Sequence, residues 1–136
     1  MAAAIETSIG EEHGFASLSC LSEDTERCLE LMARILREPV FAQSKVDLAL
    51  NQRREAVRRY NDDPMEIARR EFRWLLYGRD NPWARVPTMQ TLDSITRDDL
   101  VAFHRRFYHP NATMMAVAGD FDTEELLAAV ERFLDR

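Results

Sequence analysis

Apolar and polar positions alternate at the start of the chain and then change period. Residues 2–9 and 15–21 read as two strands; in the second, Ala16, Leu18 and Cys20 share one face, Ser17 and Ser19 the other. Gly10 and Gly14 bracket the connection between them, which suits a hairpin. The period then becomes helical. Ser22, followed by acids, predicts a helix start, with Cys28, Leu31, Met32, Ile35 and Leu36 as the buried stripe and Pro39 as the end. A long helix is expected from about Gln43 to Asn61. At about 100° per residue, Val46, Ala49, Leu50, Val57 and Tyr60 form its inner stripe. Asp63 and Pro64 open another, with Ile67, Phe72, Leu75 and Leu76 turned to the core and Gly78 ending it. Residues 79–95, which contain Pro82, Trp83 and Pro87, are expected to be irregular, with Trp83 as an aromatic plug over the core in preference to a substrate contact. Thr96 and Asp99 have capping-box spacing ahead of a helix carrying Leu100, Phe103 and Phe107. Residues 112–118 read as a third strand, interior because it is mostly apolar. Asp122 and Glu125 open a last helix that buries Leu126, Leu127, Val130, Phe133 and Leu134.

This order predicts an α+β fold: a small, mostly antiparallel sheet with helices packed on one face, in a single domain over residues 1–136. The net charge of −6 argues against non-specific nucleic-acid binding. Arginines 53, 54, 58, 59, 69, 70 and 73 are a local exception, read as a solvated helix face because acids interleave with them. Cys20 and Cys28 lack Cys-x-x-Cys spacing and are expected to be buried free thiols. The longest apolar run, Met114 to Ala118, is far short of a membrane span, and Ala2 to Ile5 is too short for a secretory h-region.

One acidic residue stands out. Glu55 falls nearly opposite the Val46 stripe, beside Leu48, among Arg53, Arg54, Arg58 and Arg59. It is either a solvated carboxylate balanced by Arg58 and Arg59 at i+3 and i+4, or a group facing a cleft. The three histidines offer it no nearby partner in sequence. His13 lies in the hairpin turn, His104 is expected half-exposed between helices, and His109 precedes Pro110.

A set of short stretches, taken in order, carries more information than any one of them. They are Pro39-Val40-Phe41, Arg54-Glu55-Ala56-Val57-Arg58-Arg59, Asn61-Asp62-Asp63-Pro64, Arg70-Glu71-Phe72, and Tyr77-Gly78 with Asn81-Pro82. Pro87-Thr88, the run from Leu92 to Leu100, Phe103-His104, Tyr108-His109-Pro110-Asn111 and Ala118-Gly119-Asp120-Phe121 complete them. This series resembles the pitrilysin/insulinase family of zinc peptidases, bacterial members above all, over nearly the whole chain. The resemblance implies zinc held by two histidines of an H-x-x-E-H helix and by a downstream glutamate, with the motif's own glutamate activating water. The downstream glutamate corresponds to Glu55. The resemblance also implies that Ala4, Ile5, Glu6 and Thr7 form an edge strand that takes up the substrate backbone; a plain sheet strand remains open for them.

The sequence contains no H-x-x-E-H; Ile9-Gly10-Glu11-Glu12-His13 has isoleucine where the first histidine belongs, and glycines on both sides of the turn. The chain is therefore expected to begin downstream of the motif, as an inactive part of a zinc metalloendopeptidase acting on short or unfolded polypeptides. Its expected partners are the missing zinc-motif segment, a second homologous half and a peptide substrate. Loss of neighbouring strands predicts a homo-oligomer formed by strand pairing or hairpin exchange. The alternative is a non-catalytic family subunit that grips substrate or supports a partner. A bacterial periplasm and cytoplasm are equally open.

Overall fold

The computed structural model describes residues 2–134. The chain divides into two compact units, one of Met1–Val40 with Phe103–Arg136 and one of Phe41–Ala102. The expected α+β class holds: six α-helices accompany a small antiparallel sheet.

The first unit starts with the hairpin. Strand β1 (Ala3–Ile9) pairs antiparallel with β2 (Gly14–Cys20), Ala3 opposite Cys20 and Ile9 opposite Gly14. Gly10 N–H donates to the His13 carbonyl at 2.9 Å and closes the turn. Helix α1 (Thr25–Arg37) follows a 3₁₀ turn over Ser22–Asp24, so Ser22 is not its cap as the sequence suggests. Helix α6 (Thr123–Leu134) begins on Asp122, whose Oδ1 accepts the N–H groups of Glu124 at 2.9 Å and Glu125 at 3.0 Å.

The core of this unit is Leu29 and Met32 against Ala129, with Ile5, Leu18, Leu36, Leu126 and Phe133 packed around them. The buried face of α1 is thus Cys28, Leu29, Met32 and Ala33, while Leu31 and Ile35 of the expected stripe are exposed. Apolar residues are dense enough along α1 to offer two overlapping stripes, and the position of α6 selects one. Leu127 is left outside for the same reason. Arg37 donates to the Phe133 carbonyl at 2.8 Å, and Arg132 pairs with Glu26. These bonds fix α1 and α6 to each other at the rim.

The third strand is not formed. Residues 113–118 have no regular structure, and among the described residues the sheet has two strands only. The backbone at Thr113 is extended (φ −114°, ψ 135°), yet Met114 is 97% exposed. Extended chain becomes a strand only where a neighbour completes the ladder. Cys20 and Cys28 are free thiols, half-buried and fully buried respectively. Burial pushes the Cys28 thiol up, and the adjacent Cys20 adds to the shift.

In the second unit, helix α2 (Gln43–Arg58) buries Val46 and half-buries Leu50 and Val57. It ends three residues before the expected Asn61, because i+3 bonds such as Tyr60 N–H to the Val57 carbonyl at 3.2 Å tighten the chain into a turn. Helix α3 (Pro64–Tyr77) starts as the sequence predicts: Asp63 Oδ1 accepts the Met65 N–H at 2.8 Å and Pro64 occupies the first turn. Gly78, at φ 80°, ends it by donating to the Trp74 carbonyl at 2.9 Å. The inward face of α3 is not the predicted one. Ile67 and Trp74 are half-buried, whereas Phe72, Leu75 and Leu76 are exposed.

Trp74 Nε1 donates to the Ala84 carbonyl at 2.9 Å, in a 3₁₀ turn over Pro82–Ala84. Ala84 is buried there and Trp83 is largely exposed, so the plug is Trp74 rather than Trp83. Residues 79–95 are more regular than expected. Helix α4 (Met89–Asp93) opens on a reciprocal Thr88–Thr91 capping box and buries Leu92, and Arg54 Nε meets Asp93 Oδ1 at 2.9 Å. Phe41 adopts φ 45°, its carbonyl accepting Arg97 Nε at 2.8 Å.

Helix α5 (Arg97–Phe107) runs from the second unit into the first. Its predicted capping box is present: Asp99 Oδ2 accepts Thr96 N–H at 2.8 Å and Thr96 Oγ at 2.6 Å, while Asp99 N–H reaches Thr96 Oγ at 3.3 Å. Within the first unit His104 Nε2 lies 2.7 Å from the Leu36 carbonyl and its ring stacks on Tyr108.

Two outcomes test this packing. Leu29→Ala is expected to lose about 2–4 kcal/mol of unfolding free energy by leaving a cavity, and Leu127→Ala much less; the reverse order in denaturant titrations would mean the other stripes face inward. The bonds from Thr96 hold the Asp99 carboxyl below its ordinary value. Its contribution is therefore present above the usual carboxylate range and lost as pH falls through the lowered folded-state value. The gap in melting temperature between wild type and Asp99→Asn should be open at neutral pH and close in strong acid.

Candidate functional site

Glu55 sits in the last turn of α2, where the sequence places it, on the face away from Val46. Its side chain is 56% exposed, and its carboxylate accepts a charge-assisted bond from Arg58, itself 60% exposed. Arg58 at i+3 is thus the observed ion-pair partner. Arg54, one position before Glu55, instead bonds Asn51 Oδ1 at 2.9 Å and Asp93, tying α2 to α4. A single half-exposed carboxylate can supply one or two oxygens to a cation, and Arg58 engages one of them.

Catalytic zinc takes three protein ligands and keeps one position open. Among the described residues no group of three or more His, Cys, Asp or Glu side chains is arranged to hold a metal ion. His13 is exposed in the hairpin turn, His104 is engaged with Leu36, and the His109 carbonyl accepts the Ala112 N–H at 3.1 Å. The donors among the described residues do not by themselves make a zinc site.

Ala4, Ile5, Glu6 and Thr7 lie in the middle of β1, opposite Ser19, Leu18, Ser17 and Ala16 of β2. Ile5 is half-buried against the Leu29–Met32 core; the other three are exposed. Among the described residues β1 has one strand neighbour, so its other side carries no ladder. Such an edge can pair with any extended peptide through backbone groups alone.

A recess of about 410 Å³ between α1 and α6 drew no attention in the sequence. Arg34, Arg37 and Arg132 line it with Glu30, Glu38 and Phe133, residues ninety-odd positions apart whose meeting depends on the helix packing. Its charges nearly balance, and no nucleophile or acid–base pair is among them.

Comparison with known proteins decides the family. Residues 94–136, from the α5 capping box through α6, match the family profile described as the Peptidase M16 inactive domain. A protein named as an uncharacterized zinc protease in Mycobacterium leprae is 31% identical over 122 residues, 88% of this chain and 27% of that protein. The chain belongs to the M16 peptidase family. A Rickettsia felis protein named an uncharacterized zinc protease is 22% identical over 125 residues, covering 90% of this chain and 30% of its own length. The uncharacterized zinc protease YmfH of Bacillus subtilis is 24% identical over 124 residues, 85% and 27% of the two chains. The M16 chain thus spans between a quarter and a third of the length of these relatives.

The Glu55–Arg58 pair is an exposed one, and such pairs add little to stability. Arg58→Ala is expected to change unfolding free energy by less than about 0.5 kcal/mol. A loss well above that in chemical denaturation would make the pair a structural clamp.

Proposed function

We propose that this chain contributes one metal ligand and a substrate-binding strand to a zinc metalloendopeptidase acting on short or unfolded polypeptides. Glu55 is the carboxylate ligand; two histidines from an H-x-x-E-H segment outside these residues complete the set. The edge of β1 from Ala4 to Thr7 receives the peptide backbone. The observation that carries this reading is Glu55 itself: a carboxylate in the M16 chain that is turned away from the packed face of α2 and is held by one exposed arginine. The zinc-protease names of the relatives support the metal and the reaction class. Without the histidines the 136-residue chain has no peptidase activity of its own.

The matched profile's description as an inactive domain favours a second reading, a non-catalytic family subunit in which Glu55 and Arg58 are a surface ion pair and nothing more. One substitution separates the two. In a native polypeptide carrying this sequence together with an H-x-x-E-H segment, Glu55→Gln should lower both bound zinc and hydrolysis of a casein substrate by more than tenfold. Full zinc occupancy in that variant, measured by atomic absorption, would remove Glu55 from the ligand set. The isolated chain should release no peptide from casein with zinc added.

A further inference from the structure

The two cysteines of the first unit meet where the hairpin leads into α1. Cys20 is the last residue of β2, two positions after Leu18, so both side chains stand on one face of the strand. That face packs on α1, since Leu18 lies against the Leu29 and Met32 core. Cys28 stands one turn before Met32 on α1 and is 0% exposed. Thr25, one turn before Cys28, has its Oγ1 4.0 Å from Cys20 Sγ. Strand face and helix face therefore direct both sulfurs into one gap, where Cys20 is a polar and electrostatic neighbour of Cys28. Every group in this arrangement belongs to the first unit.

Both sulfurs are free thiols, and the peptidase reading uses neither. An isolated buried cysteine is a small, inert apolar side chain. A second thiol beside it gives it chemistry.

We propose that Cys20 and Cys28 form a reversible disulfide that staples the hairpin to α1 in oxidising surroundings. The oxidant is a low-molecular-weight disulfide such as oxidised glutathione. Cys20, half-buried, is the sulfur that a solvent-borne oxidant reaches. As thiolate it attacks one sulfur of that disulfide, forms a mixed disulfide and expels one thiolate. Cys28, as thiolate, then attacks Cys20 Sγ, which makes the Cys20–Cys28 bond and expels the second thiolate. The two cysteine protons end on the two released thiols, so the protein loses two electrons and the small disulfide gains them. Burial sets this order. It keeps Cys28 protonated, and a charged Cys20 opposes its ionisation further; once Cys20 is in the mixed disulfide, that charge is gone.

The bond closes a loop of nine residues around the 3₁₀ turn at Ser22–Asp24. A two-stranded hairpin is marginal by itself, so a covalent tie at its base changes how readily it lifts from α1. The staple is open in a reducing compartment and closed in an oxidising one. It is independent of whether Glu55 binds zinc.

The 136-residue chain, equilibrated with oxidised glutathione and alkylated without reduction, should weigh two hydrogens less than the reduced protein. Trypsin cuts after Arg27, between the cysteines, so the bond should appear as peptide 1–27 joined to peptide 28–34 and parted by dithiothreitol. Oxidation should raise the melting temperature by about 5–10 °C. It should also slow amide exchange in β1 and β2 and leave α3 unchanged. Cys20→Ser should abolish both responses with an unaltered far-ultraviolet circular dichroism spectrum. Glutathione retained on Cys20, a covalent dimer through Cys20, or two unmodified thiols in the wild-type chain would each overturn the proposal. Joined peptides with hairpin exchange as fast as in the reduced protein would overturn the staple.

Discussion

The contact of Leu29 and Met32 on α1 with Ala129 on α6 is the constraint on which the first unit depends. It joins segments about a hundred residues apart, and the hairpin packs Ile5 and Leu18 over it. A two-stranded hairpin is marginal by itself and needs such a backing. So few side chains are fully buried that directional bonds carry an unusual share of the specificity. Arg37 to the Phe133 carbonyl, Trp74 to the Ala84 carbonyl and Arg54 to Asp93 each fix one element to another where the apolar contact is thin.

What the sequence reveals and what it conceals divide along the same line. The caps at Asp63, Asp122 and the Thr96–Asp99 box, the stop at Gly78 and the hairpin turn are decided within a few residues, and each stands where the sequence puts it. The buried stripes are decided by neighbours. Periodicity states that α1 and α3 have apolar faces but not which face meets α6 or the Pro82–Ala84 turn, so Leu31, Ile35, Leu75 and Leu76, inward by pattern alone, lie outward. Residues 113–118 fail for a related reason: a strand is a property of two segments, and among the described residues none pairs with this one. The direction of Glu55 was legible because it follows from helix period alone. The recess between α1 and α6 was not, because nothing local brings Arg34 to Arg132.

Glu55 stands on the outer face of α2. A carboxylate there projects from its own fold at little cost in stability. Its arginine neighbour keeps the charge balanced meanwhile. The same reasoning makes the β1 edge tolerable, because Glu6 and the short polar side chains around it discourage indiscriminate pairing.

The segment after His109 has no such safeguard. From Pro110 to Gly119 the chain carries no charged side chain, and Thr113-Met114-Met115-Ala116-Val117-Ala118 is extended or irregular, apolar and bathed in water. A stretch of that kind, with no proline inside it, is the composition from which stacked intermolecular sheets nucleate. Asp120 and Asp122 guard its far end but not its middle. These six residues thus combine, in one exposed stretch, the composition that favours intermolecular sheet formation.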